Sequence, residues 1–201
     1  MSANPYLTPA ERDILEHARI GIAGAGGLGS NCAMHLVRAG ARRLVIADFD
    51  VVTAGNLNRQ FFFADQVGRP KVEALRDNLL RIEPELELEI HNIRITPDNI
   101  RELFAGCAIV AEAFDRADAK QMLLAALLPD SKSVVAVSGL AGWGGSNEIR
   151  VRRVGMHLVL IGDGHSGTDP CNGPFPVSPR VGIAAAIQAN SIAALLLNQP
   201  L

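Results

Sequence analysis

The sequence predicts an α/β protein in which helices cover both faces of a doubly wound, mostly parallel sheet with an antiparallel C-terminal extension. Short apolar runs alternate with segments of helical period through most of the chain, a pattern typical of parallel sheets. A glycine-rich stretch joins the first apolar run to the helical segment after it. Two strand-like runs joined around Gly155 then predict an antiparallel hairpin near the C-terminus.

The N-terminal part predicts a capped helix followed by a βαβ unit. Residues 8–11 combine a capping box with proline at the first helical position, so we expect a helix to about His17. Gly40 suits the left-handed C-cap of the next helix. Continuous apolar strands are typical of a parallel sheet that is covered on both faces. We expect one such strand at 19–24 and a second at 42–48, with the helix that ends before Gly40 between them at 28–39.

The remaining elements follow from hydrophobic period and from turn residues. Residues 49–70 have no clear period and are rich in Asn, Arg and Phe. The pattern then predicts three helices, at 70–82, 96–106 and 117–128, of which the second is short. It predicts three strands between and after them, at 86–95, 107–114 and 133–140. The two hairpin strands are predicted at 146–154 and 156–163. A loop at 164–179 and an Ala-rich helix at 181–198 follow them. We expect one domain over 1–201. It consists of an N-terminal helix at 1–17, a nucleotide-binding half at 18–145 and a C-terminal part at 146–201.

The composition argues against several classes of protein. Nineteen basic and 21 acidic residues give a net charge of −2, so no overall field would draw the chain to nucleic acid or to a membrane surface. The chain begins without the basic and apolar segments of a secretion signal, and it has no run of about 18 apolar residues. We therefore expect a cytoplasmic protein. The three cysteines form no CxxC pair, so we expect neither a disulfide framework nor zinc.

The stretch "GAGGLGS" at 24–30 predicts a nucleotide site. It contains a G-x-G-x-x-G, follows an apolar strand and opens a helix, the context in which this motif binds phosphates at the helix N-terminus. Asp48 ends the next strand and can accept hydrogen bonds from two ribose hydroxyls. Two alternatives remain at this point: the glycines could serve only a tight turn, or the loop could hold the dinucleotide of an oxidoreductase.

The segment "NLNRQ" at 56–60 and Lys71 favour ATP over NAD. The segment lies just beyond the carboxyl end of the second predicted strand, the edge at which open α/β sheets bind ligands. Arg59 offers a fork of donors suited to phosphate oxygens, and Lys71 begins the next helix. A transferring phosphoryl group builds up charge that such cations offset. Alternatively, Arg59 is a solvated loop charge and Lys71 an ordinary residue of the first helical turn.

The motifs "GAGGLGS", "DFDVV…NLNRQ", "GRPK" and "AFDRADAK" occur in the order and spacing of the adenylating enzymes for ubiquitin-like proteins. Over about 19–197 the chain resembles the ThiF/MoeB/HesA family, and most closely its short ThiF-type branch, which adenylates the sulfur carrier ThiS. The resemblance implies that Asp115 binds magnesium, although that residue could also cap the following helix. The nucleotide-binding residues that it implies are Gly24, Gly26, Gly27, Gly29, Asp48, Asp50, Asn56, Arg59, Gln60 and Lys71, with Arg59, Lys71 and Asp115 acting in catalysis.

The reaction implied by the resemblance is adenylation. The C-terminal glycine carboxylate of a small ubiquitin-like sulfur carrier ending in Gly-Gly would attack ATP, with Mg²⁺ bound, to give an acyl-adenylate and pyrophosphate for thiamine biosynthesis. Alternatives are the same chemistry on a molybdopterin carrier or a tRNA base, an NAD-binding oxidoreductase and a catalytically silent nucleotide-binding partner. A homodimer is expected from the family and from the small residues of the last helix. The hairpin and residues 164–179 are the predicted docking surface for the carrier.

The chain differs from many family members at three places. It lacks the two CxxC pairs that hold a structural zinc in relatives. Where bacterial relatives carry an N-terminal arginine that reaches the partner subunit's site, the segment "NPYLTPAERD" offers only Arg12. Cys171 lies in a compact loop where longer relatives have an extended one, and its role in sulfur transfer is a hypothesis. Cys32 and Cys107 are interpreted as core residues.

Overall fold

The computed structural model describes residues 5–167 and 174–201. In this part of the chain seven strands form one sheet in the order β3-β2-β1-β4-β5-β7-β6. All neighbouring strands are parallel except β6 and β7, which form the antiparallel pair. This confirms the predicted Rossmann-like fold class, with the hairpin as an extension of the sheet. The strands are β1 Arg19–Ala23, β2 Arg43–Ala47, β3 Glu87–His91, β4 Ile109–Glu112, β5 Ser133–Val137, β6 Arg150–Val154 and β7 Leu158–Gly162.

The helices are close to their predicted positions. The capping box of α1 is present, with Thr8 and Glu11 bonded reciprocally, and Gly40 adopts the predicted left-handed conformation after α2, with φ at 115°. The segment without a clear period contains two short 3₁₀ helices, Ala54–Asn56 and Ala64–Gln66. The α-helices are α1 Pro9–His17, α2 Gly27–Ala39, α3 Lys71–Leu80, α4 Ile100–Leu103, α5 Ala117–Leu127 and α6 Ser178–Leu196.

The observed strands are all shorter than predicted, and residues Ser146–Glu148, predicted as the start of β6, form a 3₁₀ helix. The largest differences are at β3 and α4. Strand β3 stops at His91 because it lies at the sheet edge and pairs only with β2, whose five residues limit the ladder. Helix α4 is a single turn because Asn99 bonds the backbone before it: its Oδ1 accepts from Thr96 N at 2.8 Å and its Nδ2 donates to the Arg94 carbonyl oxygen. Such local bonds compete with a continuous helix.

The core has one apolar cluster on each face of the sheet. The larger cluster joins the strands to α2, α3 and α6, and the other joins them to α4 and α5. Cys32 and Cys107 belong to these clusters, as predicted, and burial raises the pKa of both thiols, that of Cys107 to about 11. Cys171 lies outside the described residues.

Helix α6 packs along α2 and against β4, β5 and β7. Its small residues Ala184, Ala185 and Ala189 are buried, so the close packing predicted for this helix occurs within the chain. Of the helices in the described ranges, it alone has the length and apolar composition of a membrane span, and 44% of its apolar window is buried inside the protein. Its small-residue face therefore carries no argument for a dimer.

The end of β7 is tied to the start of α6 by a buried ion pair. The Arg180 guanidinium donates to Asp163 Oδ2 at 2.7 Å, and the two side chains are 5% and 1% exposed. Arg180 also donates to the carbonyl oxygens of Leu140 and Gly144, in the segment after β5. One side chain thus connects three segments at the carboxyl edge of the sheet.

Asp163→Asn is expected to lower the free energy of unfolding by about 2 kcal/mol at neutral pH. Burial alone would raise the pKa of Asp163, but hydrogen bonds donated by Ser166 and His165 outweigh it and lower the pKa to about 2. A depressed carboxyl pKa stabilises the fold above the unfolded pKa, and this contribution disappears as the pH falls from about 4 to about 2. Urea unfolding across this window should show the two proteins converging; an unchanged difference at pH 2 would contradict the assignment.

Candidate active site

The glycine loop lies at the carboxyl end of β1, and two of its glycines are required by packing. Gly24 has φ at 102°, and a Cβ there would lie 3.0 Å from the Ala113 carbonyl oxygen. A Cβ at Gly29 would lie only 1.8 Å from the carbonyl oxygen of Gly24. To this extent the tight-turn interpretation holds. Gly26 differs, because the nearest described atom to a Cβ there is Gln60 Nε2, at 3.9 Å. Packing does not require a glycine at this position.

The N-terminus of α2 points backbone N–H groups at the space beside Gly26. The helix begins at Gly27, Gly26 is its N-cap, and no side chain among the described residues caps it. Free N–H groups at a helix N-terminus, with the partial positive charge of the helix dipole, favour an anion. The loop therefore has the geometry of a phosphate site.

Asp48 is bonded to the glycine loop. Its Oδ2 accepts from Ala25 N at 2.6 Å, and its Oδ1 accepts from Asp50 N at 2.8 Å. These bonds fix the carboxylate at the carboxyl edge of β2, directly beside the loop. Each carboxylate oxygen has a second lone pair, so both can still accept a ribose hydroxyl, which is the role predicted for Asp48.

Lys71 is held by Asp50. Its Nζ donates to Asp50 Oδ2 at 2.7 Å, and its backbone N donates to the Asp50 carbonyl oxygen at 2.9 Å. The lysine is 6% exposed, so Lys71, the first residue of α3, is buried in an ion pair rather than solvated. A buried ammonium oriented by one carboxylate is a positioned positive charge, and Asp50 links it to Asp48, whose Oδ1 accepts from Asp50 N.

The 56–60 segment is fastened to α2 by two side chains that the sequence did not single out. Asn31 Nδ2 donates to the carbonyl oxygens of Gly27 and Arg59, at 2.7 and 2.9 Å. Ser30 Oγ donates to the Gly26 carbonyl oxygen and accepts from Phe61 N. The segment therefore lies against the helix N-terminus. The Arg59 side chain lies near Gly27, where an added Cβ would be 3.6 Å from Arg59 Cγ, and it donates to Gly55 O and Asn58 Oδ1.

The two amides of this segment have different surroundings. Asn56 Oδ1 accepts from Thr53 N at 3.1 Å and so closes the first 3₁₀ helix. Gln60 is buried, and its Oε1 has no hydrogen-bond partner among the described residues. A buried amide oxygen without a partner is costly, and this one belongs to a side chain that faces Gly26. A phosphate at the loop carries no donor for Oε1, but it can accept a hydrogen bond from Gln60 Nε2, the nearest described atom to a Cβ at Gly26.

Asp115 lies in the turn between β4 and α5 and is exposed. The alternative that it caps α5 is wrong: the N-cap is Arg116, and the side chain that accepts from a backbone N–H of the first turn is that of Asp118. The turn adjoins the glycine loop, because Ala113 N donates to the Ala23 carbonyl oxygen at 3.0 Å. Mg²⁺ in nucleotide sites is held by one or two carboxylates together with phosphate oxygens. An exposed carboxylate at this position fits that requirement.

The structure thus brings most of the predicted residues around one loop. Asp48 bonds to the loop, and Arg59 and Gln60 lie near it. Asp50 bonds to Asp48 and holds Lys71, and the Asp115 turn packs near Gly24. The sequence also missed a buried pair below that turn, Glu112 and Lys120. Lys120 ends the motif "AFDRADAK", but nothing in the sequence indicates that it pairs with Glu112.

The model of the ThiF family matches residues 4–200 of the chain. The molybdopterin-synthase adenylyltransferase of Salmonella typhimurium is 36% identical over 131 residues, covering 65% of this chain and 52% of that protein. The sulfur carrier protein ThiS adenylyltransferase of Escherichia coli is 29% identical over 171 residues, covering 84% and 68%. The chain spans about half the length of the Salmonella relative.

Solved structures share the fold at lower identity. The crystal structure of E. coli tRNA N6-threonylcarbamoyladenosine dehydratase in complex with ATP aligns with a TM-score of 0.80 and 22% identity, covering 96% of this chain and 92% of that chain. At this identity the likeness concerns the fold alone. It extends over nearly the whole of both chains, including the antiparallel end of the sheet.

Proposed function

The chain belongs to the ThiF family, and from that premise we propose that it is an adenylyltransferase. It transfers the adenylyl group of ATP to the C-terminal glycine carboxylate of a ubiquitin-like sulfur carrier. The observation that carries this proposal is a helix N-terminus with an open face at Gly26, next to an Asp48 carboxylate that bonds both to the loop and to Asp50, which in turn holds the buried Lys71 ammonium. The specific carrier proposed is ThiS-like, which assigns the protein to thiamine biosynthesis in the cytoplasm.

The chemistry asks little of the protein beyond positioning and charge. The carrier carboxylate is already a nucleophile, so one of its oxygens forms a bond to the α-phosphorus of ATP. The bond from that phosphorus to the bridging oxygen of the β-phosphate breaks, and pyrophosphate leaves with the electron pair. Preorganised cations stabilise the charge that builds up on these oxygens. Arg59 and Lys71 provide those cations, and no side chain has to take up a proton.

The remaining residues hold the nucleotide. Asp48 accepts the ribose hydroxyls, and the N–H groups of the 24–29 loop bind phosphate oxygens. Asp50 orients Lys71 through the 2.7 Å ion pair. Asp115 would hold Mg²⁺, which supplies charge neutralisation for the phosphates when bound. Asn56 and Gln60 complete the proposed phosphate site, the first by shaping its segment and the second through its Nε2 donor, the nearest described atom to a Cβ at Gly26.

The exposed face of the hairpin supports a protein partner. A surface groove of about 810 Å³ lies between α5, β5 and β7, beside the Asp115 turn, and its walls are mostly apolar. Leu160 forms part of the groove and is the cross-strand partner of Arg152 on edge strand β6. Cross-strand partners share a face of the sheet. An apolar groove flanked by arginines on β6 suits a carrier whose docking surface is apolar with acidic residues around it.

Arg152→Glu is expected to raise the KM for the carrier about tenfold, with little change in the KM for ATP, because a charge reversal at an interface costs more than loss of the charge. Initial rates at varied carrier and at varied ATP separate the two constants. Arg101→Glu on α4, where the arginine is paired with Asp130, is the control. Equal KM values for the carrier in wild type and Arg152→Glu would contradict docking at this face of the hairpin.

ATP–pyrophosphate exchange tests the proposal and chooses among targets. Purified protein is assayed with ThiS-like and molybdopterin-type carriers ending in Gly-Gly, with tRNA, and with no target. We expect exchange only with a carrier, and fastest with the ThiS-like one. Exchange without any target would contradict the mechanism. Exchange with tRNA alone would mean that tRNA, and not a carrier protein, is the target. Tight binding of NADH, unaffected by ATP, would favour the oxidoreductase alternative.

Two further aspects are proposals that the same preparation tests. A homodimer is expected from the family, and light scattering of the pure protein measures it. Arg12, on α1, is the one candidate in the N-terminal segment for an arginine that reaches the partner subunit's site, and mixing Arg12→Ala with an inactive Lys71→Ala variant tests it: restored activity would mean that sites are shared. Zinc is not part of the proposed enzyme.

A further inference from the structure

The turn that carries Asp115 is held from below by the buried pair Glu112–Lys120. Glu112 is the last residue of β4, and its side chain is fully buried. Lys120 Nζ donates to both of its carboxylate oxygens, at 3.1 and 3.0 Å, and to the Val137 carbonyl oxygen at 2.9 Å. One ammonium therefore connects the ends of β4 and β5 from within α5.

The same carboxylate fixes the backbone of the turn. Glu112 Oε1 accepts from Phe114 N at 2.7 Å, while Ala113 N is bonded to Ala23 on β1. On the other face, Gln188 Nε2 donates to the backbone carbonyl oxygen of Glu112 at 2.9 Å. The two residues before Asp115 thus have their backbone N–H groups fixed.

From the helix side the turn has less support. Helix α5 begins at Ala117 without a capping bond from its N-cap side chain. Asp118 accepts from the Arg116 guanidinium and from Ala119 N, but Asp115, Arg116 and Asp118 are all exposed, and exposed pairs add little support. The position of the Asp115 carboxylate relative to the glycine loop therefore depends on the network around Glu112.

An ion pair is a poor choice if stability alone is required. Burial raises the pKa of Glu112 despite the nearby ammonium, and burying charges costs as much as their attraction returns, so apolar residues of similar size would stabilise the core equally well. What apolar side chains cannot do is accept from Phe114 N or donate to Val137 O. The geometry of the turn is what the pair provides.

We propose that Glu112 and Lys120 are positioning residues that set the Asp115 carboxylate at the distance from the glycine loop that Mg·ATP requires. Neither touches the nucleotide. The inference rests on the proposed function, because it assumes that Asp115 binds the magnesium of ATP. Loss of residues that orient a metal ligand commonly costs 10- to 100-fold in metal affinity.

Lys120→Met tests this through binding and hydrogen exchange. We expect the Kd for ATP in the presence of Mg²⁺ to rise about tenfold or more, whereas the Kd without Mg²⁺ changes little. We also expect faster amide hydrogen exchange in the 113–116 turn of the free protein. Lys120→Arg should keep both values near those of wild type, because it preserves the charge and the donors. Glu112→Gln should give an intermediate effect, and it stands in for Lys120→Met if that variant does not fold.

Lys132→Met is the matched control. Lys132 also donates to backbone carbonyl oxygens, those of Ala105 and Cys107, but it lies at the start of β5 rather than beside the turn. It should leave Mg²⁺-dependent ATP binding unchanged. If Lys120→Met keeps the wild-type rate of amide hydrogen exchange in the 113–116 turn and the wild-type affinity for Mg·ATP, the inference is overturned. If wild type itself binds ATP equally with and without Mg²⁺, the proposed role of Asp115 fails, and the exchange data still decide whether the pair holds the turn.

Discussion

Lys71→Ala is expected to lower the carrier-dependent rate of ATP–pyrophosphate exchange by about 10²- to 10³-fold, as removal of one preorganised charge-stabilising group usually does. The ammonium is 6% exposed and held by Asp50, so water cannot replace it at low cost. Arg59→Ala should have an effect of the same order, because its fork of donors is the other cation of the site.

The control for these variants is Arg69→Ala. Arg69 lies two residues before Lys71, but its guanidinium is engaged by Asp77 on α3 at 2.6 Å, so its loss should leave the rate near that of wild type. Exchange is measured at saturating carrier and at varied ATP, which separates a loss of ATP affinity from a loss of rate. A rate within about threefold of wild type in Lys71→Ala, less than 1 kcal/mol of the barrier, would contradict the role of this residue.

Gly29→Ala is expected to lower the free energy of unfolding by about 3 kcal/mol, at the upper end of the usual cost of overpacking. The added Cβ would lie 1.8 Å from the backbone oxygen of Gly24. Neither the strand that ends before Gly24 nor the helix that contains Gly29 can move away without breaking its contacts. Urea unfolding measures the loss.

Gly26→Ala is the matched comparison within the same loop. The nearest described atom to its Cβ is 3.9 Å away, so its stability should stay within about 1 kcal/mol of wild type. Its ATP affinity should nevertheless fall at least tenfold, because the methyl group would fill the space in which the backbone approaches phosphate. Calorimetric titration with ATP checks this. Unchanged affinity in a folded Gly26→Ala protein would mean that the loop is only a tight turn.

Local patterns in the sequence predicted the fold class and much of the site. The capping box at Thr8, the glycine after α2 and the alternation of apolar strands with helices each depend on residues close together in the chain. The glycine loop, Asp48 and Arg59 were identified because short motifs carry them. Their meeting around one loop follows from the rule that parallel strands present their carboxyl ends at one edge of the sheet.

What the sequence did not predict depends on contacts between distant segments. Glu112 meets Lys120 and Val137 only because β4 and β5 are neighbours, and Arg180 meets Asp163 only because α6 returns to the end of β7. The five-residue length of β3 is set by its partner strand rather than by its own residues. In each case the outcome depends on a neighbouring segment that is distant in the sequence.

The most direct test of the central claim follows the oxygen atoms of the carrier. A carrier that supports exchange is prepared with ¹⁸O in its C-terminal carboxylate and incubated with enzyme, Mg²⁺ and unlabelled ATP. The acyl-adenylate is then cleaved at its carbonyl carbon with hydroxylamine, and the products are analysed by mass spectrometry. Attack of the carboxylate on the α-phosphorus predicts AMP that carries one ¹⁸O atom. Label in inorganic phosphate or pyrophosphate, or AMP without label, would contradict a glycine loop that holds ATP for cleavage at its α-phosphate.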